Sequence, residues 1–316
     1  MKRTPSLITL LLIVLLSLGG CARPAAEPTT LRVGLLPILD ALPFYVAEEE
    51  GYFADAGLAV TFVPVASAAE RDQLLTAGQV DVVIDDLVSL LLLDRESVRV
   101  VAVRVAMRPT ETFAQFRLLA APHSPVQTVD DLRGLPVGVS EGTIVEYLTD
   151  RLLEAAGFAP DEITVVAVPR IPDRMALLES GELQAAMLPE PPASLAIAQG
   201  ARAIIDDRSL PDLACSLVSV RAELAESQPQ AVEAMLAALE KAVQAINADK
   251  EHWTPLLTEH HLLPPALADD FTLPDYPAAQ VPSPAAFHDV QRWLTERSML
   301  TTAPPYADLV RDEFLP

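Results

Sequence analysis

Carboxylates gather where apolar runs of this chain end. Asp40 follows the run 31–36, the pair Asp85-Asp86 closes Val82-Val83-Ile84, Glu141 and Glu146 flank the turn Ser140-Glu141-Gly142-Thr143, and Glu190 sits between Pro189 and Pro191. None of these segments carries Lys or Arg. An anion would call for Arg, Lys or an open helix N-terminus, whereas carboxylates suit a cation or a ring rich in N–H donors. The expected ligand is therefore a nitrogen heterocycle, unless Arg104, Arg108, Arg170 or Arg174 reaches the site from elsewhere. Covalent and metal chemistry have no visible support. His123, His252, His260, His261 and His288 form no i, i+4 metal pair with a supporting Glu, and the chain has no phosphate-binding Gly loop, Gly-x-Ser-x-Gly elbow or zinc cysteine set. No catalytic residue, metal or cofactor is expected, and the protein is read as a binder, not an enzyme.

Each candidate also has a structural use. Asp40 accepts from a ligand or caps the helix beginning at Leu42, with Pro43 in its first turn. Tyr45 is placed at the site and Phe44 in the core. One of Asp85 and Asp86 is a helix cap and the other points into the crevice. Ser140, Gly142 and Thr143 offer hydroxyls and backbone N–H groups, while Thr143-x-x-Glu146 reads as a capping box that assigns Glu146 a structural role. Tyr147 stacks on a planar ligand or packs inside. Glu190 contacts ligand or fixes its loop. Ser216 is a weaker site candidate, and Cys215 reads as a core thiol.

The elements that position these residues alternate between apolar runs and helical periodicity, an α/β pattern with largely parallel strands. Strands are predicted at 31–36, 59–63, 80–84, 98–103, 137–139, 163–168, 185–188 and 203–205, and helices at 42–50, 66–77, 87–93, 144–156, 172–180 and 191–199. Two βα series follow one another, the second over 116–206. A strand at 214–220 then leads into helices, where Val232, Met235, Leu236, Leu239, Val243 and Ile246 share one face, as do Phe287, Val290 and Leu294. The Pro-rich stretch 262–284 keeps Leu263, Phe271 and Leu273 and reads as an ordered wrapping segment. The expected fold is a two-lobed clamshell with a double crossover and a helical C-terminal tail, changing lobe near 107–115 and returning near 206–213. In open α/β sheets ligands bind beyond the carboxyl ends of the strands, where the candidate residues lie.

Composition limits the partners. The 316 residues are 51% hydrophobic and 21% charged, with 22 basic against 44 acidic side chains and a net charge of -22. That field repels nucleic acid, so none is expected as a partner. At the N-terminus, Lys2 and Arg3 precede an apolar stretch over 7–18 that is short for a membrane span. Leu18-Gly19-Gly20-Cys21 resembles the lipid-attachment signal of bacterial lipoproteins. It implies a signal peptide over 1–20, lipidation of Cys21, a tether over 21–30 and attachment to a membrane on the extracytoplasmic face of the cell envelope. Cys215 is then left without a disulfide partner, so the core alone must stabilise the fold.

The order of motifs is informative. Asp40-x-Leu42-Pro43-Phe44-Tyr45-x-Ala47, then Gly51-Tyr52-Phe53 and Gly57-Leu58, then Leu74 to Asp81 as L-L-T-A-G-Q-V-D, then Glu190-Pro191 and a long helix from Pro229, together resemble the ABC-importer substrate-binding proteins of the thiamine-pyrimidine, sulfonate and nitrate group. The resemblance spans about 31–314. It implies a periplasmic-binding-protein type II fold, with lobe 1 formed by 31–108 plus 210–316 and lobe 2 by 109–209. The implied protein is a monomer that captures a small molecule and delivers it to ABC permease and ATPase subunits. The charge reading favours a thiamine-pyrimidine precursor or a flavin-like vitamin. The alternatives are sulfonate, taurine or nitrate, or an enzyme of pyrimidine or menaquinone precursor synthesis on the same fold. Asp40, Leu42, Pro43, Tyr45, Asp85, Asp86, Ser140, Gly142, Thr143, Tyr147 and Glu190 are the ligand-binding candidates.

Overall fold

Strand order is set by how the chain passes twice between two sheets. A computed structural model describes residues 27–302 and 304–316; the signal segment 1–20, Cys21 and most of the tether lie outside the described residues. The strands are β1 (Thr29–Leu35), β2 (Leu58–Pro64), β3 (Val82–Asp86), β4 (Val100–Met107), β5 (Phe116–Ala120), β6 (Pro136–Val139), β7 (Thr164–Ala167), β8 (Ala185–Pro189), β9 (Arg202–Asp206) and β10 (Ser216–Arg221). One five-stranded sheet has the order β2-β1-β3-β10-β4 and the other β7-β6-β8-β5-β9. Every residue of β3 and β4 is buried, as in strands covered on both faces, including the charged Asp85, Asp86 and Arg104.

The largely parallel expectation is corrected at two strands. β10 runs antiparallel to both β3 and β4, and β5 antiparallel to both β8 and β9. Each of these strands enters its sheet directly from the other lobe, at the cleft end, so it runs away from the cleft while its neighbours run toward it. No separate strand is predicted over Phe116 to Ala120, where the apolar run is short and Arg117 interrupts it.

Helices form where the apolar spacing and caps place them: Leu42–Glu49, Ala68–Thr76, Leu87–Leu93, Ile144–Ala155, Ile171–Ser180 and Pro192–Ala198. Ser67 Oγ caps the second by accepting from Glu70 N–H at 3.2 Å. The long helix Pro229–Ala248 buries Val232, Met235, Leu236, Leu239, Val243 and Ile246 in one core with Phe44. The Pro-rich stretch wraps this body in an ordered path. Leu263, Leu273 and Tyr276 are buried, and Tyr276 hydroxyl donates to Leu39 carbonyl at 2.8 Å.

Helix Pro284–Glu296 then crosses to the second body and grips helix Ile144–Ala155. Trp293 Nε1 donates to Asp150 at 2.6 Å, Tyr147 hydroxyl and Arg151 Nε donate to Asp289 at 2.9 and 2.7 Å, and Arg297 pairs with both Glu146 and Asp150.

At the crossovers, buried polar groups join the two bodies. Asp207 accepts the backbone N–H groups of Gln115 and Phe116, both at 3.0 Å. The Gln115 side-chain amide donates to Asp40 at 2.9 Å and Ser216 Oγ at 3.1 Å, and Ser216 hydroxyl also donates to Asp40. Burial outweighs these hydrogen bonds, pushing Asp40 up to about 6 and Asp207 up to about 7.

Folding is thus linked to proton uptake. A carboxyl whose folded pKa is raised contributes stability below its unfolded value near 4 and loses it as pH climbs through the folded value. The protein should gain thermal stability as pH falls from 7.5 toward 5, opposite to an acid-labile salt-bridged fold. Asp40→Asn, which keeps an acceptor for Gln115 and Ser216, should flatten this slope, removing about 1.4 kcal/mol of the stability gained between pH 7.5 and 5. Calorimetric melts of both proteins across that range check it; equal slopes would contradict the assignment.

Candidate functional site

The carboxyl ends of β1 and β3 face those of β6 and β8 across a cavity of ≈ 70 Å³, measured to the centre of a water-sized sphere. That is several times the room one water needs. Leu36, which follows β1, and Ile171, which opens helix Ile171–Ser180, line the cavity and join Val65 in a buried apolar cluster between the two bodies.

Of the residues expected at the site, Asp85, Asp86, Ser140 and Thr143 line this cavity. Asp40 stands behind two further lining residues, Gln115 and Ser216, and holds them. The remaining candidates lie elsewhere. Leu42 and Pro43 are buried in the first turn of their helix, on the core side. Tyr45 stacks flat on His260, ring centroids 3.8 Å apart, meets Phe62 edge-on, and lines a second groove that shares Leu36 with the cavity and includes Pro172 of the other body. Gly142 has a left-handed φ of 67° and gives its N–H to Glu146 at 2.8 Å, so it serves the turn. Tyr147 is fully buried against Trp293. Glu190 is buried, with an ion pair to Arg117 at 2.7 Å and an N–H bond from Ser194 at 3.2 Å, and fixes its own loop.

Asp86 is the cap of the acidic pair. It accepts from Val88 and Ser89 N–H at 2.9 and 3.0 Å, and the Ile144 N–H of the opposite body also favours its charge. The N-terminus of Ile144–Ala155 is thereby filled by the protein itself. Thr143 Oγ1 takes Val145 N–H at 3.2 Å, and Glu146 takes Gly142 N–H. No open set of helix-terminal donors remains for a ligand. Asp85 accepts from Ser219 hydroxyl at 2.6 Å through Oδ1 only. Burial raises its pKa well above the usual carboxylate range, with Arg71 opposing the shift.

Two cations line the cavity, which corrects the premise that no base faces the cleft. Arg71, on Ala68–Thr76, is committed to protein groups: Nε to Asp72 at 2.8 Å, Nη1 to Ile84 carbonyl at 3.0 Å and Nη2 to Ser89 Oγ at 2.6 Å. Arg174, on Ile171–Ser180, donates to Val168 carbonyl at 2.7 Å, its Nε has no partner, and among the described residues no carboxylate pairs with it. Burial pulls its pKa down to about 10, so it stays charged at neutral pH. The other arginines raised as candidates are used elsewhere, Arg104 on Glu240, Arg108 on Asp212 and Arg170 on Asp173.

Segments following strands contain neither Arg71 nor Arg174, because both lie within helices; Arg174 is among the arginines named above as able to reach the site, and Arg71 is not. Gln115 also falls outside them because it precedes a strand. The signal available for Arg174 was its place one turn into a helix whose N-terminus enters the cleft.

Cys215 is buried beside the acidic pair, its thiol pushed up to about 12, first by burial and then by Asp86, so it is no thiolate nucleophile at neutral pH. Among the described residues no group of His, Cys, Asp and Glu could hold a metal ion, and no helix is long and apolar enough to cross a membrane.

Two mixed sheets joined by a double crossover, with a cleft at their carboxyl ends, define the two-lobed α/β fold of periplasmic binding proteins. Solved structures agree. The chain matches a ligand-binding component of an ABC-type import system from Staphylococcus aureus with TM-score 0.76 and 13% identity, over 90% of this chain and 97% of that one. It matches the alkanesulfonate-binding protein SsuA from Xanthomonas axonopodis pv. citri, bound to MOPS, with TM-score 0.76 and 18% identity over 91% and 99%. The profile of the NMT1-like family matches residues 24–254, and the chain belongs to that family. Among curated proteins it is 24% identical over 242 residues to the nitrate/nitrite binding protein NrtA of Nostoc sp., covering 70% of this chain and 54% of NrtA. The chain thus spans about half the length of the curated relative it matches.

Proposed function

We propose that this protein is the extracytoplasmic solute-binding component of an ABC importer and that its cleft captures a small organic anion. One observation carries the ligand class: Arg174, a buried guanidinium with no carboxylate partner, lines the inter-lobe cavity. A charge held out of water without a counter-ion is costly, and an anionic ligand would offset that cost. Ile38, Ile144 and Ile171 in the same wall suit a hydrocarbon body more than a bare inorganic ion. The preference for a thiamine-pyrimidine precursor or flavin-like vitamin loses its basis once a base lies in the cleft. Sulfonate-type and carboxylate ligands take its place, in keeping with the printed names of SsuA and NrtA.

In this reading the lobes, 31–108 plus 210–316 and 109–209, close on the ligand, and the closed form docks as a monomer on permease and ATPase subunits. Cys21 carries the lipid that holds the protein to a membrane through the tether 21–30. Fractionating cells that make Cys21→Ala should move the protein from membranes to the soluble extracytoplasmic fraction; unchanged membrane attachment would exclude the anchor.

Arg174→Met tests the ligand class. In thermal shift and titration calorimetry, organic carboxylates or sulfonates should stabilise the wild type by mass action, about 2.7 kcal/mol at a hundredfold excess over Kd. The variant should bind on the order of 100-fold more weakly, yet melt no lower than the wild type when empty, because it loses an unpaired buried charge. Stabilisation by thiamine pyrimidines and by no acid would overturn the reading.

A further inference from the structure

Two junctions between the bodies border the cavity, and they differ in kind. At the first, Ile144 and Val145 open helix Ile144–Ala155 on the cavity wall, and the rest of that helix is clamped by helix Pro284–Glu296. Val290, Trp293 and Leu294 share one buried apolar cluster with Leu87 of the first body and with Tyr147 and Leu148 of the second. Asp289 accepts from Tyr147 and Arg151, and Asp150 from Trp293. On either side of the clamping helix the chain is stitched to β4, an edge strand. Gln280 carbonyl accepts Val105 N–H at 2.7 Å, and Ala102 carbonyl accepts Arg311 N–H at 2.9 Å. A close-packed core that runs through both bodies parts only with local unfolding.

The second junction is small. Leu36 after β1, Val65 after β2 and Ile171 at the start of helix Ile171–Ser180 form a separate buried apolar cluster, 7%, 4% and 7% exposed. Among the described residues no backbone hydrogen bond crosses it. Leu36 also lines the second groove, ≈ 320 Å³ by the same measure as the cavity, where Tyr45 stacks on His260. Ile171 lines the cavity while its neighbour Pro172 lines the groove, so the cluster stands between the two spaces.

The two halves of this cluster are restrained unequally. Val65 N–H donates to Leu35 carbonyl at 3.0 Å, which holds the half on the first body. Ile171 lies in Pro169-Arg170-Ile171-Pro172, where neither proline has an N–H with which to anchor the backbone.

We propose that the second groove is the entrance to the cavity and that Leu36, Val65 and Ile171 are its gate, which opens while the clamp at helix Pro284–Glu296 stays shut. This builds on the reading of the cavity as the ligand site. Apolar contact is non-directional, so such a plug separates and re-forms without leaving a polar group unpaired. Ile171 and Arg174 are three residues apart on one helix and share a face. A displacement of that first turn which opens the gate therefore carries the guanidinium with it, so that admission and presentation of the binding cation are one movement.

The test needs no ligand, so its failure leaves the anion reading standing. In the full chain, a thiol introduced by Ser140→Cys reports access to the cavity, and one introduced by Val290→Cys reports opening of the clamp. Labelling by iodoacetamide is timed by mass spectrometry of the peptide around each position, which keeps it apart from the buried Cys215. Position 140 should react at least tenfold faster than position 290. Adding Ile171→Ala should raise the rate at 140 a further tenfold or more, and Asp289→Asn should leave it within twofold. Pro172→Trp, which fills the groove from an exposed position, should lower it at least threefold. That last variant leaves the buried cluster intact and decides the question should Ile171→Ala fail to fold. Equal rates at 140 and 290, indifference to Pro172→Trp, or acceleration by Asp289→Asn would overturn the gate.

Discussion

The Gln115 amide is the contact on which the rest of this arrangement depends. It lies in the first crossover, its backbone N–H is held by Asp207 at the end of β9, and its side chain bridges Asp40 after β1 and Ser216 at the start of β10. Both crossovers between the sheets meet it. Buried carboxylates are tolerated only when hydrogen-bonded, and here Gln115 serves both acids of the crossover. The same bonds tie the lobes together at the wall of the cavity that Gln115 and Ser216 line.

The electrostatics of the site are local. A net charge of -22 keeps polyanions away at long range, but within a desolvated cleft the nearest unpaired charge decides the ligand's sign. Asp86 is consumed by its own helix cap and by the opposing Ile144 N–H, Glu190 by Arg117, and Glu146 by Gly142 and Arg297. The carboxylates that seemed to fill the cleft are mostly structural partners. Arg174 is left buried with no carboxylate partner among the described residues, a cost that the anionic ligand of the proposed function offsets.

Local pattern was a good guide to what lies within one element. Apolar runs and 3.6-residue spacing located Leu87–Leu93 and the apolar face of Pro229–Ala248, and placed a strand at 80–84 where the structure has Val82–Asp86, while cap chemistry located Thr143. What depends on distant partners was not legible. Tyr147 leaves the site for Trp293 and Asp289, and Tyr45 for His260, contacts between segments more than a hundred residues apart. The division of labour between Asp85 and Asp86 required both Ser219 and Ile144 to be in place. Tallying charge only in segments after strands failed because Arg174 reaches the cleft from inside a helix, through its long side chain.

The most direct measurement is the mass and fragmentation of any small molecule released by denaturing protein purified without added ligand. The expected result is a stoichiometric organic compound that carries an acidic group and is absent when Arg174→Met protein is treated in the same way. Recovery of a neutral heterocycle with no acidic group, retained equally by both proteins, would contradict the central role of Arg174.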